Sequence, residues 1–217
     1  MKHILPNTIL LAAALCMSAW AAEPDSANNI AINGDLEAWV PVEFPTHNRP
    51  VVKLPENLTP ERFDSSVDVP GDDMSLPVGV SIAPDRLHKH GGDISAKIEN
   101  ADQEQTGILA LREIPVEPNT EYLVRVWIKG EDIAGDLKAK RGAAVWVKYG
   151  PKEDFWKSPL TGSKMFMPEI PAGTFPWTKF EFTFRTPDDI GLLRVSLQLR
   201  KATGTLWFDD LEVIPVL

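Results

Sequence analysis

Residues 178–185 alternate without a break. Phe180, Phe182 and Phe184 fall on one side, and Lys179, Glu181, Thr183 and Arg185 on the other. That period of two belongs to a half-buried β-strand and excludes an amphipathic helix. The same pattern returns along the second half of the chain. Leu193, Val195, Leu197 and Leu199 alternate with Arg194, Ser196, Gln198 and Arg200; Tyr122, Val124, Val126 and Ile128 alternate with Leu123, Arg125, Trp127 and Lys129. Further strands are expected at Ile94–Ile98, Gly107–Ile114, Ala143–Tyr149 and Gly204–Val213, with shorter candidates at Asn29–Ile32 and Val78–Ile82. Pro and Gly separate them, and no stretch keeps a helical period. Many short strands with one apolar face each make an all-β sandwich or barrel.

Other parts of the chain are not strand-like. Residues 1–21 have a positive start, an apolar run and Ala19-Trp20-Ala21 as a cleavage site, the marks of a secretory signal peptide. The run is too short and too soon polar for a membrane span. Cleavage would remove Cys16, the one cysteine, and leave no thiol or disulfide chemistry. The expected location is therefore secreted or periplasmic. Residues 22–28 read as a short tether and 29–217 as one domain, interrupted by long proline-bearing loops at 41–85 and 151–173. With 22 Lys+Arg against 31 Asp+Glu, the chain offers no basic stripe for nucleic acid.

Six fragments in order resemble one family. Asn33-Gly34-Asp35-Leu36-Glu37, Gly92-Asp93-Ile94-Ser95-Ala96-Lys97-Ile98, Pro118-Asn119-Thr120-Glu121-Tyr122, Val126-Trp127-Ile128-Lys129-Gly130, Trp177-Thr178-Lys179-Phe180 and Trp207-Phe208-Asp209-Asp210-Leu211 are similar to successive motifs of carbohydrate-binding modules of the family 4 and 9 group. The resemblance implies an antiparallel two-sheet jelly-roll sandwich of the galactose-binding-like type. It also implies a structural Ca²⁺ tying the first strand to the last, with Asp35 and Gly92 giving backbone oxygens, Asp209 a carboxylate and Glu37 a possible extra ligand. The alternative for Asp209 and Asp210 is a wet strand end.

Sugar recognition needs flat aromatic faces and planar polar groups. If the strands share a sheet, one surface carries Trp127, Trp146, Arg125, Lys148, Arg194, Gln198 and Arg200, with Trp156 on a loop able to fold over it. Its basic groups would suit an acidic polysaccharide. The competing reading buries Trp127 and Trp146 under a loop. His88 and His90 have no further ligands at convincing spacing, and a loop pair without a role is the simpler account. No paired-carboxylate array, nucleophile elbow, zinc motif or phosphate loop is present. The expected function is a non-catalytic module that binds a polysaccharide, with a separate carbohydrate-active enzyme as an expected partner. A jelly-roll lyase or hydrolase using Tyr149, His88 or His90 is the alternative, and a surface domain that binds protein is the third.

Overall fold

The computed structural model describes residues 26–31, 33–42, 52–55, 58–60, 76–151, 162–170 and 172–216. The expected signal peptide, Trp156 and most of the two long loops lie outside the described residues. After a single 3-10 turn at Ser26–Asn28 come twelve strands: β1 Trp39–Val42, β2 Val52–Pro55, β3 Leu58–Pro60, β4 Val80–Asp85, β5 Ser95–Asn100, β6 Thr106–Pro115, β7 Glu121–Ala134, β8 Gly142–Gly150, β9 Gly162–Phe166, β10 Gly173–Arg185, β11 Leu192–Arg200 and β12 Thr203–Pro215. Two five-stranded sheets form the body. One runs β10-β7-β12-β5-β4 and the other β3-β6-β11-β8-β9, while β1 and β2 make a small ribbon. Every pairing is antiparallel. This is the two-sheet jelly-roll sandwich that the resemblance implies; the strand pattern alone left sandwich or barrel open.

The inward faces are those the alternation selects. Val124, Val126 and Ile128 of β7, Leu206, Phe208 and Val213 of β12, and Leu193, Val195, Leu197 and Leu199 of β11 meet in one core. Each such side chain contributes about 2 kcal/mol of burial. Phe182 of β10 stacks on Phe166 of β9, with ring centroids 3.6 Å apart, and closes one side of the sandwich.

Several local features depart from the sequence reading. β2, β3 and β9 fall inside the expected loops at 41–85 and 151–173. β7 continues past Gly130, where the strand was expected to end. Gly130 lacks a side chain because the Phe175 ring lies against it, and any Cβ there would collide. Residues 29–31 are not a strand. The Asn29 carboxamide accepts hydrogen bonds from the amides of Ala31 and Val213 and donates to the Leu211 carbonyl, so a side chain takes the place of a ladder. In β12, Asp209 stands opposite Trp127 and Glu212 opposite Arg125, so Asp210 and Leu211 together face Val126 alone. This bulge puts Asp210 at φ 47° and tucks Leu211 into the core.

Candidate functional site

The proposed single binding surface divides in two. β7 is paired with β10 and β12, whereas β8 is paired with β11 and β9. Arg125 and Trp127 therefore face out from one side of the sandwich. Trp146, Lys148, Arg194, Gln198 and Arg200 face out from the other. The inward or outward sense of each residue is as the alternation predicts. Sheet membership is what differs, because it is decided by pairings between strands far apart in sequence.

On the β11/β8 side, cross-strand register builds a polar row. Ser196 lies opposite Trp146 and Arg194 opposite Lys148 on β8; Ser196 and Gln198 lie opposite Ala110 and Ile108 on β6. Small neighbours at Ala110 and Ala144 leave the row recessed. Lys148 Nζ sits 5.0 Å from the Trp146 ring centroid. Arg200 Nε donates to the Lys140 carbonyl at 3.1 Å. Ser196 and Gln198 are both 0 % exposed, yet they point away from the apolar core. Among the described residues, neither the Ser196 hydroxyl nor either amide atom of Gln198 has a hydrogen-bond partner. Buried polar groups in folded proteins are nearly always satisfied, and leaving one unsatisfied costs about 1–3 kcal/mol. Sequence inspection placed Ser196 on this face but gave no sign of its burial.

The opposite face is closed by its own residues. The segment 86–94 lies across it and is fastened at both ends. Asp85 Oδ2 accepts from the Trp207 indole at 2.9 Å and meets the His88 ring at 3.2 Å, while Oδ1 caps the amides of Leu87 and His88. Burial opposes ionisation of Asp85, but these donors outweigh it and hold the carboxyl well below the usual range. His88 packs on Trp207, and Lys129 Nζ lies 4.5 Å from the same ring. His90 stacks on Trp127 at 3.8 Å and 15°, with Trp177 at its edge. Its Nδ1 is 2.7 Å from Asp210 Oδ2. One face of Trp127 is thus covered, as the competing sequence reading allowed. Both histidines have structural work, which corrects the expectation of a pair without a role.

Asp209 is 0 % exposed and secures the same segment. Its Oδ2 accepts from the amides of His90 and Gly91 at 2.7 and 3.2 Å, and its Oδ1 from Asp210 at 2.9 Å. Burial, aided by the Asp210 charge, pushes the carboxyl up to about 6 in spite of these donors. Glu37 Oε1 accepts from Asp93 and Ile94 at 2.6 and 3.1 Å. Gly92 sits at φ 48° against the Glu37 carboxylate, with no room for a Cβ. Asp209 and Glu37 thus both accept from amides of the 90–94 segment that contains Gly92. Amide hydrogens already face Asp209 and Glu37 Oε1, and among the described residues no group of three or more acidic, His or Cys side chains is arranged to hold a metal.

Arg125 occupies the middle of this face. Its Nε is 3.1 Å from Glu181 and its Nη1 is 2.9 Å from Glu212, one on each neighbouring strand. Desolvation works against the charge of Arg125, but the two carboxylates overcome it and raise its pKa. The residues named for a catalytic alternative lie on different parts of the sandwich. Tyr149 packs inside the sandwich against Phe184 at 5.3 Å, while His88 and His90 lie on the far face of the other sheet.

No family model matches the chain, and no curated protein matches it. Solved structures do. The enzymatically active domain of bacteriophage CBA120 tailspike protein 4 is similar with a TM-score of 0.56 at 9 % identity; the match covers 88 % of this chain and 22 % of that one. A CBM4 carbohydrate-binding module is similar with a TM-score of 0.50 at 18 % identity, covering 86 % of this chain and 99 % of that one. A family 16 carbohydrate-binding module matches at 0.44 and 18 % identity over 65 % of this chain and 91 % of its own. At these identities the likeness establishes a shared jelly-roll fold, and the fold by itself does not choose a function.

Proposed function

We propose that this chain is a non-catalytic carbohydrate-binding module, of the kind grouped in families 4 and 9, that binds a polysaccharide on its β11/β8 face. One observation carries the reading. Gln198 and Ser196 are buried beside the indole of Trp146, without hydrogen bonds among the described residues. A carboxamide offers two donors and an acceptor, and a hydroxyl offers both, which is the complement a sugar's hydroxyls need. Trp146 supplies the flat surface for a pyranose ring. Lys148, Arg194 and Arg200 frame this row and add charged hydrogen-bonding groups. The expected setting is secreted or periplasmic, alongside a separate carbohydrate-active enzyme.

Affinity electrophoresis through gels holding a panel of neutral and acidic polysaccharides tests this. At least one glycan retards the protein, and Trp146→Ala and Gln198→Ala abolish the retardation. No retardation by any glycan, or retardation unchanged in both variants, refutes the reading.

A structural calcium between Asp209, Glu37 and the 90–94 backbone is a separate proposal. The buried charge of Asp209 supports it, and the amides already bonded there count against it. Melting in chelator decides: a lowered midpoint restored by Ca²⁺ supports the ion, and an unchanged midpoint removes it.

A further inference from the structure

A hollow of about 390 Å³ opens over the bulge of β12, on the opposite side of the sandwich from Trp146. Trp127 and Arg125 line it from β7, Lys179 from β10, Asp210 and Glu212 from β12, and Asp35 from the N-terminal turn. We propose that this hollow is a second binding site, taking one or two sugar units such as the end of a glycan chain.

The lining selects the ligand class. An anion would face the carboxylates of Asp35, Asp210 and Glu212. An apolar ligand would strip water from those charges and from Arg125 and Lys179 without replacing it. A sugar hydroxyl donates and accepts at once, so it can meet a carboxylate and a cation in the same place. The aromatic wall suits the C–H face of a pyranose. The volume lies in the range of small-ligand cavities, which run from about 300 to 1,000 Å³, and towards its lower end. That size accommodates one or two sugar units.

The walls are also set before any ligand arrives. His90 stacks behind the Trp127 ring at 3.8 Å. Glu181 and Glu212 hold the Arg125 guanidinium from both sides. Asp210 is held at φ 47° by the bulge of β12, with its carboxylate on His90. Ordering costs that weaken sugar binding elsewhere are therefore already met here. The hollow does not depend on the β11/β8 face being a polysaccharide site.

The experiment uses the ¹⁵N-labelled full chain and follows its tryptophan indole N–H signals. Glucose, galactose, xylose, mannose and cellobiose are titrated in turn. At least one produces a saturable shift of the Trp127 indole, identified by its loss in Trp127→Phe and read independently of any shift of the Trp146 indole. Asp35 and Lys179 have exposed or partly exposed side chains, so Asp35→Ala and Lys179→Ala fold normally; at least one of them weakens that titration about tenfold, the cost of one charged hydrogen bond. The proposal is overturned if no sugar shifts the Trp127 indole saturably, or if the shift survives both Asp35→Ala and Lys179→Ala unchanged. A failure of the polysaccharide reading appears elsewhere, in the gels and at Trp146.

Discussion

The two outer faces of this sandwich handle buried polar groups in opposite ways. Over β7 and β12, nearly every such group is answered. Asp209 takes three amides, Asp85 takes an indole and two amides, and Arg125 is gripped by two glutamates. Over β11, Ser196 and Gln198 are as deeply buried and have no hydrogen bond among the described residues. The first arrangement stabilises a fold and leaves little to offer a ligand, except in the hollow at the bulge. The second costs stability, and such a cost is commonly found where a ligand is to be bound.

That contrast is breakable by substitutions of one kind on both faces. Asp209→Ala removes the acceptor for the amides of His90, Gly91 and Asp210, and it should lower stability by about 3 kcal/mol, read as a shift of the denaturant midpoint at constant slope. Arg125→Met leaves Glu212 half-buried without its partner and should cost about 2 kcal/mol. Gln198→Met, on the other face, replaces an unanswered amide by an apolar chain of similar length. It should cost nothing or add about 1 kcal/mol while abolishing polysaccharide retardation. A loss of 2 kcal/mol or so in Gln198→Met would mean that its amide is satisfied after all and that the two faces are alike.

Acid provides a smaller test. The Asp85 carboxyl is held below its unfolded value of 3.8 by its donors. A depressed folded pKa contributes stability that is present above that unfolded value and is lost as the pH falls below it. Wild type should therefore lose stability between pH 4 and 2 more steeply than Asp85→Asn. Parallel curves would show that Asp85 is not what fastens this end of the 86–94 segment.

Much of the fold was legible because alternation is a local signal. The phenylalanines of β10 and the leucines of β11 declare their faces without help from the rest of the chain. β9 was not, since Gly162-Ser163-Lys164-Met165-Phe166 is short and mixed, and becomes a strand by pairing with β8. The candidate site was legible only in part. Trp127 and Trp146 both point outward as expected, but nothing near either residue indicates that β7 joins β12 while β8 joins β11. The work of His90 was hidden for the same reason. Its partner Asp210 lies 120 positions away, and Trp127 becomes its stacking surface only through the sheet.

The most direct test of the central claim compares Trp146→Ala with Trp127→Ala in polysaccharide gels. The account predicts that the glycan retarding the wild type no longer retards Trp146→Ala and still retards Trp127→Ala to within about twofold. Retardation lost in Trp127→Ala and kept in Trp146→Ala would contradict it.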